Sequence, residues 1–170
     1  VQRVYVHAAI WESFIPELLD GAKEITPDDP WKDSTVVGPM ITVQAAEQVE
    51  SWIADAVAGG ARILCGGNRK GAMFEPTILT DVLPAMNVNC KEIFAPVVIV
   101  ERYAAFADAL RRVNDSAFGL QAGVFTRDLR NAFKAYEELE VGGVVINDVP
   151  TYRIDHMPYG GVKDSGFGRE

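Results

Sequence analysis

Cysteine is scarce: the 170 residues hold only two, Cys65 and Cys90. That is too few for a disulfide framework, and the default compartment for such usage is the reducing cytoplasm. Histidine is equally rare. His7 and His156 lie far apart, and no Cys/His spacing suits zinc, so no metal site is expected. No apolar run approaches the roughly 20 residues of a membrane span. Positive charge is short too: 16 Lys and Arg against 24 Asp and Glu give a net charge of −8. An acidic surface argues against nucleic acid and anionic membranes as partners. The phosphate-loop order G-x-x-x-x-G-K-[ST] is absent, as are a G-x-G-x-x-G between strand and helix and a Ser-His-Asp signature. The first residue is Val1 rather than Met, and the opening residues do not read as the basic-then-apolar pattern of a secretory signal. Gly166 to Glu170 read as a turn cut short. The expectation is an excised part of a longer chain, with groups needed for chemistry lying outside it.

What is present is ordinary globular composition, 48% hydrophobic and 24% charged. A chain of this size can bury about two-thirds of its unfolded surface, so residues 1–170 are read as a single domain with a real core. No repeat, low-complexity tract or linker interrupts it.

Val1 to His7 is rich in β-formers and reads as a strand. Phe14, Ile15, Leu18, Leu19 and Ala22 recur at helical spacing, predicting an amphipathic helix over roughly 10–24. Pro, Asp and Gly between Thr26 and Pro39 predict a loop. Val49, Trp52, Ile53, Ala56 and Val57 mark a second helix, stopped by Gly59-Gly60. Ala61 to Cys65 and Thr77 to Thr80 are candidate strands. Pro96 to Val100 is nearly all β-branched, as in a strand covered on both faces. Tyr103, Phe106, Leu110 and Val113 form a helical stripe. Gly123 to Thr126 is the next strand. Asp128 is the N-cap of a helix carrying Leu129, Phe133, Tyr136 and Leu139, and Val144 to Asn147 is the last strand. Alternating strands and helices predict an α/β fold, a largely parallel sheet with crossover helices.

Read alone, the chemistry-bearing residues are modest. Cys90 beside Lys91 is the first place to seek a reactive thiol. Adjacency in a loop does not aim a charge, though, and Glu92 opposes it, so Cys90 reads as structural or incidental. Cys65, in an apolar strand, reads as a small core residue. His7 ends a strand and reads as a surface residue. Glu92, just before a buried strand, would by itself be a solvated loop acid. Pro158 to Glu170 is an irregular loop whose glycines permit unusual backbone angles.

Five segments in order change this picture. Gln2 to His7 followed by Phe14, Gly38-Pro39-Met40, and K-E-I-F-A-P-V from Lys91 to Val97 are the first three. Asn114-Asp115-Ser116-Ala117-Phe118-Gly119-Leu120 with Gly123 to Thr126 is the fourth, and Asn147 followed by Pro158 to Glu170 the fifth. Together they resemble the aldehyde dehydrogenase superfamily, with its E-x-F-G-P-V, N-x-x-x-Y-G-L and P-F-G-G-x-K-x-S-G-x-G-R-E motifs. The resemblance covers the whole chain. It implies a three-layer catalytic domain, of which residues 1–170 would be the C-terminal portion, used with NAD or NADP as cofactor.

It also implies roles. Glu92 would bind the hydroxyls of the nicotinamide ribose, Phe94 would pack beside the nicotinamide, and Leu120 would add an apolar contact. Tyr159 stands where the family has an aromatic lining the aldehyde tunnel. Asn147 and Lys163 match motif positions with structural roles. The usual Gly before the Pro is Ala95 here, one methyl more. The catalytic cysteine and the general-base glutamate would precede Val1, so no catalytic residue is assigned within the chain and the isolated chain is expected to be inactive. The implied reaction is thiolate attack on an aldehyde, hydride transfer to the nicotinamide and hydrolysis to the acid. The segment from Asp148 to Pro158 would set substrate choice. Arg153 and His156 are unusual there for plain alkyl aldehydes, and Arg can bind a carboxylate or sulfonate bidentately. A short aldehyde with an anionic or hydroxylated tail is therefore expected, with an ion pair from Arg153 to Asp148 or Asp155 as the alternative. A homo-dimer or homo-tetramer is implied. A coenzyme-A-acylating relative and a non-enzymatic binding or structural relative are the other readings.

Overall fold

The computed structural model describes residues 1–170 as two compact units, Val1–Tyr103 and Ala104–Glu170. In the first unit, β1 (Arg3–His7) leads through a short 3-10 turn to α1 (Trp11–Lys23), followed by α2 (Val43–Ala58). Then come β2 (Arg62–Cys65), the hairpin of β3 (Arg69–Lys70) and β4 (Met73–Phe74), β5 (Thr77–Thr80), a single turn α3 (Asn87–Cys90), and β6 (Val97–Tyr103). Four strands form one sheet in the order β1-β6-β5-β2. β6 pairs in parallel with β1 and β5, while β2 adds an antiparallel edge to β5.

That sheet is the middle of three layers, because alternate side chains of a strand face opposite ways. Leu79, Val97 and Ile99 face α2, which brings Ala46, Val49, Ile53 and Ala56 at helical spacing. Ile78 and Val100 face the other way, onto Phe14, Ile15, Leu18 and Leu19 of α1. The β-branched run of β6 is therefore buried from both sides, as a central parallel strand must be. Thr42 starts α2 by accepting a hydrogen bond from the Ala45 N–H at 3.0 Å.

The second unit runs α4 (Phe106–Asn114), β7 (Phe118–Gly119), β8 (Gln121–Val124), α5 (Leu129–Glu138), β9 (Gly143–Ile146) and β10 (Val162–Lys163). β8 and β9 are parallel, with α5 as their crossover, and β10 pairs antiparallel with β7. Asp128 caps α5 by accepting from the Arg130 N–H at 2.8 Å. Leu110, Ala135 and Leu139 form its core, with Phe106, Val113, Ala122, Val124 and Val144 packed against them.

Several sequence expectations shift. Tyr103 closes β6 instead of opening α4, and the strand expected at Gly123–Thr126 lies at Gln121–Val124. Cys65 is only half-buried, because β2 is an edge strand whose register slips between Ile63 and Cys65. The stripe Leu129, Phe133, Tyr136 and Leu139 read on this helix is only partly buried. Leu129, Phe133 and Tyr136 are 70%, 58% and 73% exposed, and the buried positions are Ala135 and Leu139.

Candidate functional site

In the first unit the notable stretch is the turn between α3 and β6. Gln2, just ahead of β1, grips it from three sides. Its amide nitrogen donates to the carbonyls of Val88 at 3.0 Å and Lys91 at 2.7 Å, and its oxygen accepts from the Ile93 N–H at 3.0 Å. A carboxamide can do this because it carries donors and an acceptor on one planar group. Ile93 is then buried in the core, which leaves its neighbours Glu92 and Phe94 exposed on either side of it. Phe94 is 80% exposed, an unusual state for a phenyl ring on an otherwise pinned turn. Lys91 lies with its ammonium 5.3 Å from the Trp52 ring centre. Gln2 carries no local signal of this role, since its partners lie some 86 to 91 positions along the chain.

The turn exposes a carboxylate and an aromatic ring, on a backbone held by three hydrogen bonds from Gln2. A carboxylate accepts two hydroxyl hydrogen bonds at once, and an exposed ring offers a flat apolar contact. Glu92 thus offers a two-point acceptor and Phe94 a flat apolar face.

In the second unit, Leu120 stands between β7 and β8, half-exposed. Its carbonyl accepts from the Gly143 N–H at 3.1 Å. The backbones of Leu120 and Gly160 close on Gly142. A Cβ there would meet the Gly160 oxygen at 1.7 Å and the Leu120 oxygen at 2.9 Å. That contact brings Leu120 beside the Tyr159-Gly160 segment. Tyr159 is half-buried, and the Arg153 guanidinium carbon lies 4.8 Å from its ring centre. Arg153 pairs with neither acid expected from the sequence. Asp148 accepts from the Val149 N–H at 2.7 Å, and the Arg153 partner is Glu170 at 2.5 Å. His156 is exposed on the same loop, in the turn closed by Met157 N–H and the Ile154 carbonyl at 3.0 Å.

Polar knots hold this frame. Asn114 donates to the Glu138 carbonyl at 2.7 Å and accepts from the Glu140 N–H at 2.9 Å. Lys163 donates to the Asn114 carbonyl at 2.7 Å and pairs with Glu140 at 2.7 Å. Ser165 accepts from the Gly119 N–H at 2.9 Å. Asn147 sits at φ 60°, a conformation asparagine tolerates, and accepts from the Thr126 N–H at 2.9 Å. These contacts account for the spaced motif residues structurally. Of the cysteines, burial pushes the Cys65 thiol pKa up, and the exposed Cys90 thiol lies 3.7 Å from the Ala85 carbonyl.

Comparison with known proteins agrees with this frame. The family model described as "Aldehyde dehydrogenase family" matches residues 1–170. A 3-sulfolactaldehyde dehydrogenase of Priestia aryabhattai is 48% identical over all of this chain, which spans 36% of that relative. Aldehyde dehydrogenase 21 of Physcomitrella patens, solved with its reaction product succinate, superposes with a TM-score of 0.97 at 44% identity. That match covers 99% of this chain and 35% of that one. Glyceraldehyde-3-phosphate dehydrogenase of Methanocaldococcus jannaschii, solved with NADP, gives 0.93 at 39% identity, over 98% of this chain and 36% of that one. The α/β architecture is thus that of known dehydrogenase domains. The chain belongs to the aldehyde dehydrogenase family. It spans about a third of the length of the relatives it matches.

Proposed function

We propose that residues 1–170 supply the cofactor-ribose contact and the substrate-tail wall of an NAD(P)-dependent aldehyde dehydrogenase that oxidises a short aldehyde bearing an anionic tail. Glu92 would hold the ribose hydroxyls, with Phe94 as an apolar contact beside the nicotinamide. When bound, the nicotinamide supplies the hydride acceptor. Tyr159 would line the aldehyde's path, while Arg153 and His156 meet its tail. The nucleophilic thiolate and general base come from chain outside residues 1–170. That placement is in keeping with a match spanning about a third of the relatives. Residues 1–170 alone are expected to show no turnover.

The observation that carries the anionic tail is Arg153, stacked on Tyr159 with its guanidinium already gripping a carboxylate. A guanidinium fork matches carboxylate, sulfonate and phosphate geometry, and an aromatic face beneath it fixes its plane. Three of the relatives are in keeping with the same reading. 3-Sulfolactaldehyde carries a sulfonate, succinate a second carboxylate and glyceraldehyde 3-phosphate a phosphate.

The test is NAD+ and NADP+ reduction by the whole polypeptide that carries these residues. It is offered 3-sulfolactaldehyde, succinic semialdehyde, glyceraldehyde 3-phosphate and the neutral lactaldehyde. Anionic aldehydes should have kcat/KM at least about tenfold higher than lactaldehyde, and Arg153→Met should remove that preference. Equal turnover of charged and neutral aldehydes would overturn the reading.

A further inference from the structure

We infer that Gln2 is a positioning residue for the cofactor contact: it sets the direction of the Glu92 side chain and, through it, the hold on the nicotinamide ribose; this rests on the reading of Glu92 given above. Residues 91–96 lie between α3 and β6, in neither helix nor strand. The backbone groups of such a stretch need partners from side chains or water. Here one carboxamide reaches both peptide planes that flank Glu92. The Lys91 carbonyl belongs to the peptide joining residues 91 and 92, and it accepts from Gln2 Nε2 at 2.7 Å. The Ile93 N–H belongs to the peptide joining residues 92 and 93, and it donates to Gln2 Oε1 at 3.0 Å. Each peptide is planar, so the soft torsions between the two are φ and ψ of Glu92 itself. Holding both planes on one rigid amide fixes those torsions, and with them the direction of the Glu92 Cα–Cβ bond.

The clamp is itself anchored. The Gln2 backbone carbonyl accepts from the Ile99 N–H of β6 at 2.8 Å, so the side chain departs from a backbone tied to the sheet. Its amide nitrogen also donates to the Val88 carbonyl at 3.0 Å. Val88 and Ile93 are both buried in the core that holds Val97 and Ile99. Their burial sets where the turn lies. The bonds to Gln2 set how the peptides within it are turned. Glutamine suits this task because one planar group carries donors for two carbonyls and an acceptor for an N–H. Methionine has a similar reach and makes none of these bonds, while asparagine keeps the chemistry and loses the reach.

The test uses the whole polypeptide that carries these residues. Hydrogen exchange of the cofactor-free enzyme reads the clamp directly: the Ile93 N–H should be protected, and Gln2→Met should speed its exchange at least about tenfold. Calorimetric titration with NAD+ and NADP+ reads the consequence. Glu92→Gln should weaken the nucleotide the enzyme uses, and Gln2→Met should weaken it about fivefold, the worth of about one hydrogen bond. ADP, with or without a 2′-phosphate, lacks the nicotinamide ribose and should bind all forms alike. In the double variant the two losses should not add, because Gln2 acts through Glu92. Gln2→Asn should repeat Gln2→Met, which covers the case where either variant folds poorly. If Glu92→Gln leaves NAD+ and NADP+ binding unchanged, the ribose reading falls and the positioning role with it. If Glu92→Gln weakens them while neither Gln2 variant does, the positioning role is overturned and the ribose reading stands. Equal weakening of ADP, additive losses, or an unprotected Ile93 N–H in the unsubstituted enzyme would each overturn it too, the last whatever the variants do.

Discussion

The two units reach order by different means. In Val1–Tyr103 a four-stranded sheet is sandwiched by α1 and α2, and its largest buried side chains are Phe74, Leu79, Ile99, Val88 and Val100. In Ala104–Glu170 the buried apolar residues are Ala109, Leu110, Ala135 and Leu139, two large and two small. What the second unit lacks in buried volume it replaces with backbone close approach and with polar knots at Asn114, Asn147, Lys163 and Ser165. The lesson is that the two units should break differently. The first should be sensitive to lost volume. The second should be sensitive to added volume and to lost hydrogen bonds.

The sharpest break is Gly142→Ala. Its Cβ would lie 1.7 Å from the Gly160 oxygen and 2.9 Å from the Leu120 oxygen, both backbone atoms with little freedom to yield. Overpacking against rigid neighbours costs about 3 kcal/mol or more. The expected outcome is loss of amide protection in the second unit, read residue by residue by hydrogen exchange. The matched change in the first unit is Leu79→Ala, which empties a fully buried site at a cost of about 3 kcal/mol. Its effect should fall on the first unit's amides. If Gly142→Ala left the second unit as protected as before, its dependence on close approach would be wrong.

Asn114→Ala is the next largest. One side chain there makes two bonds to backbone at the end of α5, to Glu138 and Glu140. Losing both should cost about 1–2 kcal/mol, measured as a lower urea midpoint for the second unit. Asn114→Asp should fall between, since it keeps the acceptor for Glu140 N–H and loses the donor to the Glu138 carbonyl.

Much of the first unit was legible because its signals are local. The helical spacing of Val49, Ile53 and Ala56, the β-branched run of β6 and the Gly59-Gly60 stop each act within a few residues. The antiparallel edge at β2 was not legible, since pairing direction depends on what lies across the sheet. The same holds at the candidate site. Glu92, Phe94 and Tyr159 were singled out by the resemblance to the family's motifs, not by their local pattern. Gln2 as the clamp of residues 88–93 and Glu170 as the partner of Arg153 were missed. Contacts between residues far apart in sequence leave no trace in periodicity. Arg153 shows the limit plainly: the nearest acids, Asp148 and Asp155, were the obvious partners, and the chain folds a distant one onto it.

The smallest effect should come from α5, and it is informative for that reason. At about 100° per residue, Leu129, Phe133 and Tyr136 share one narrow arc of the helix, while Ala135 and Leu139 occupy the neighbouring arc that faces the core. The apolar surface of α5 is thus wider than the part its unit covers. Phe133→Ala should change the unfolding free energy, read from urea denaturation, by no more than about 0.5 kcal/mol, the usual range for an exposed position. Ala135→Leu, on the covered arc, adds volume where Leu110 and Leu139 already pack and should cost about 1–3 kcal/mol. A large loss from Phe133→Ala would mean that Phe133 packs within the second unit in solution. The second unit would then be filled by volume, as the first is, and not held mainly by close approach and hydrogen bonds.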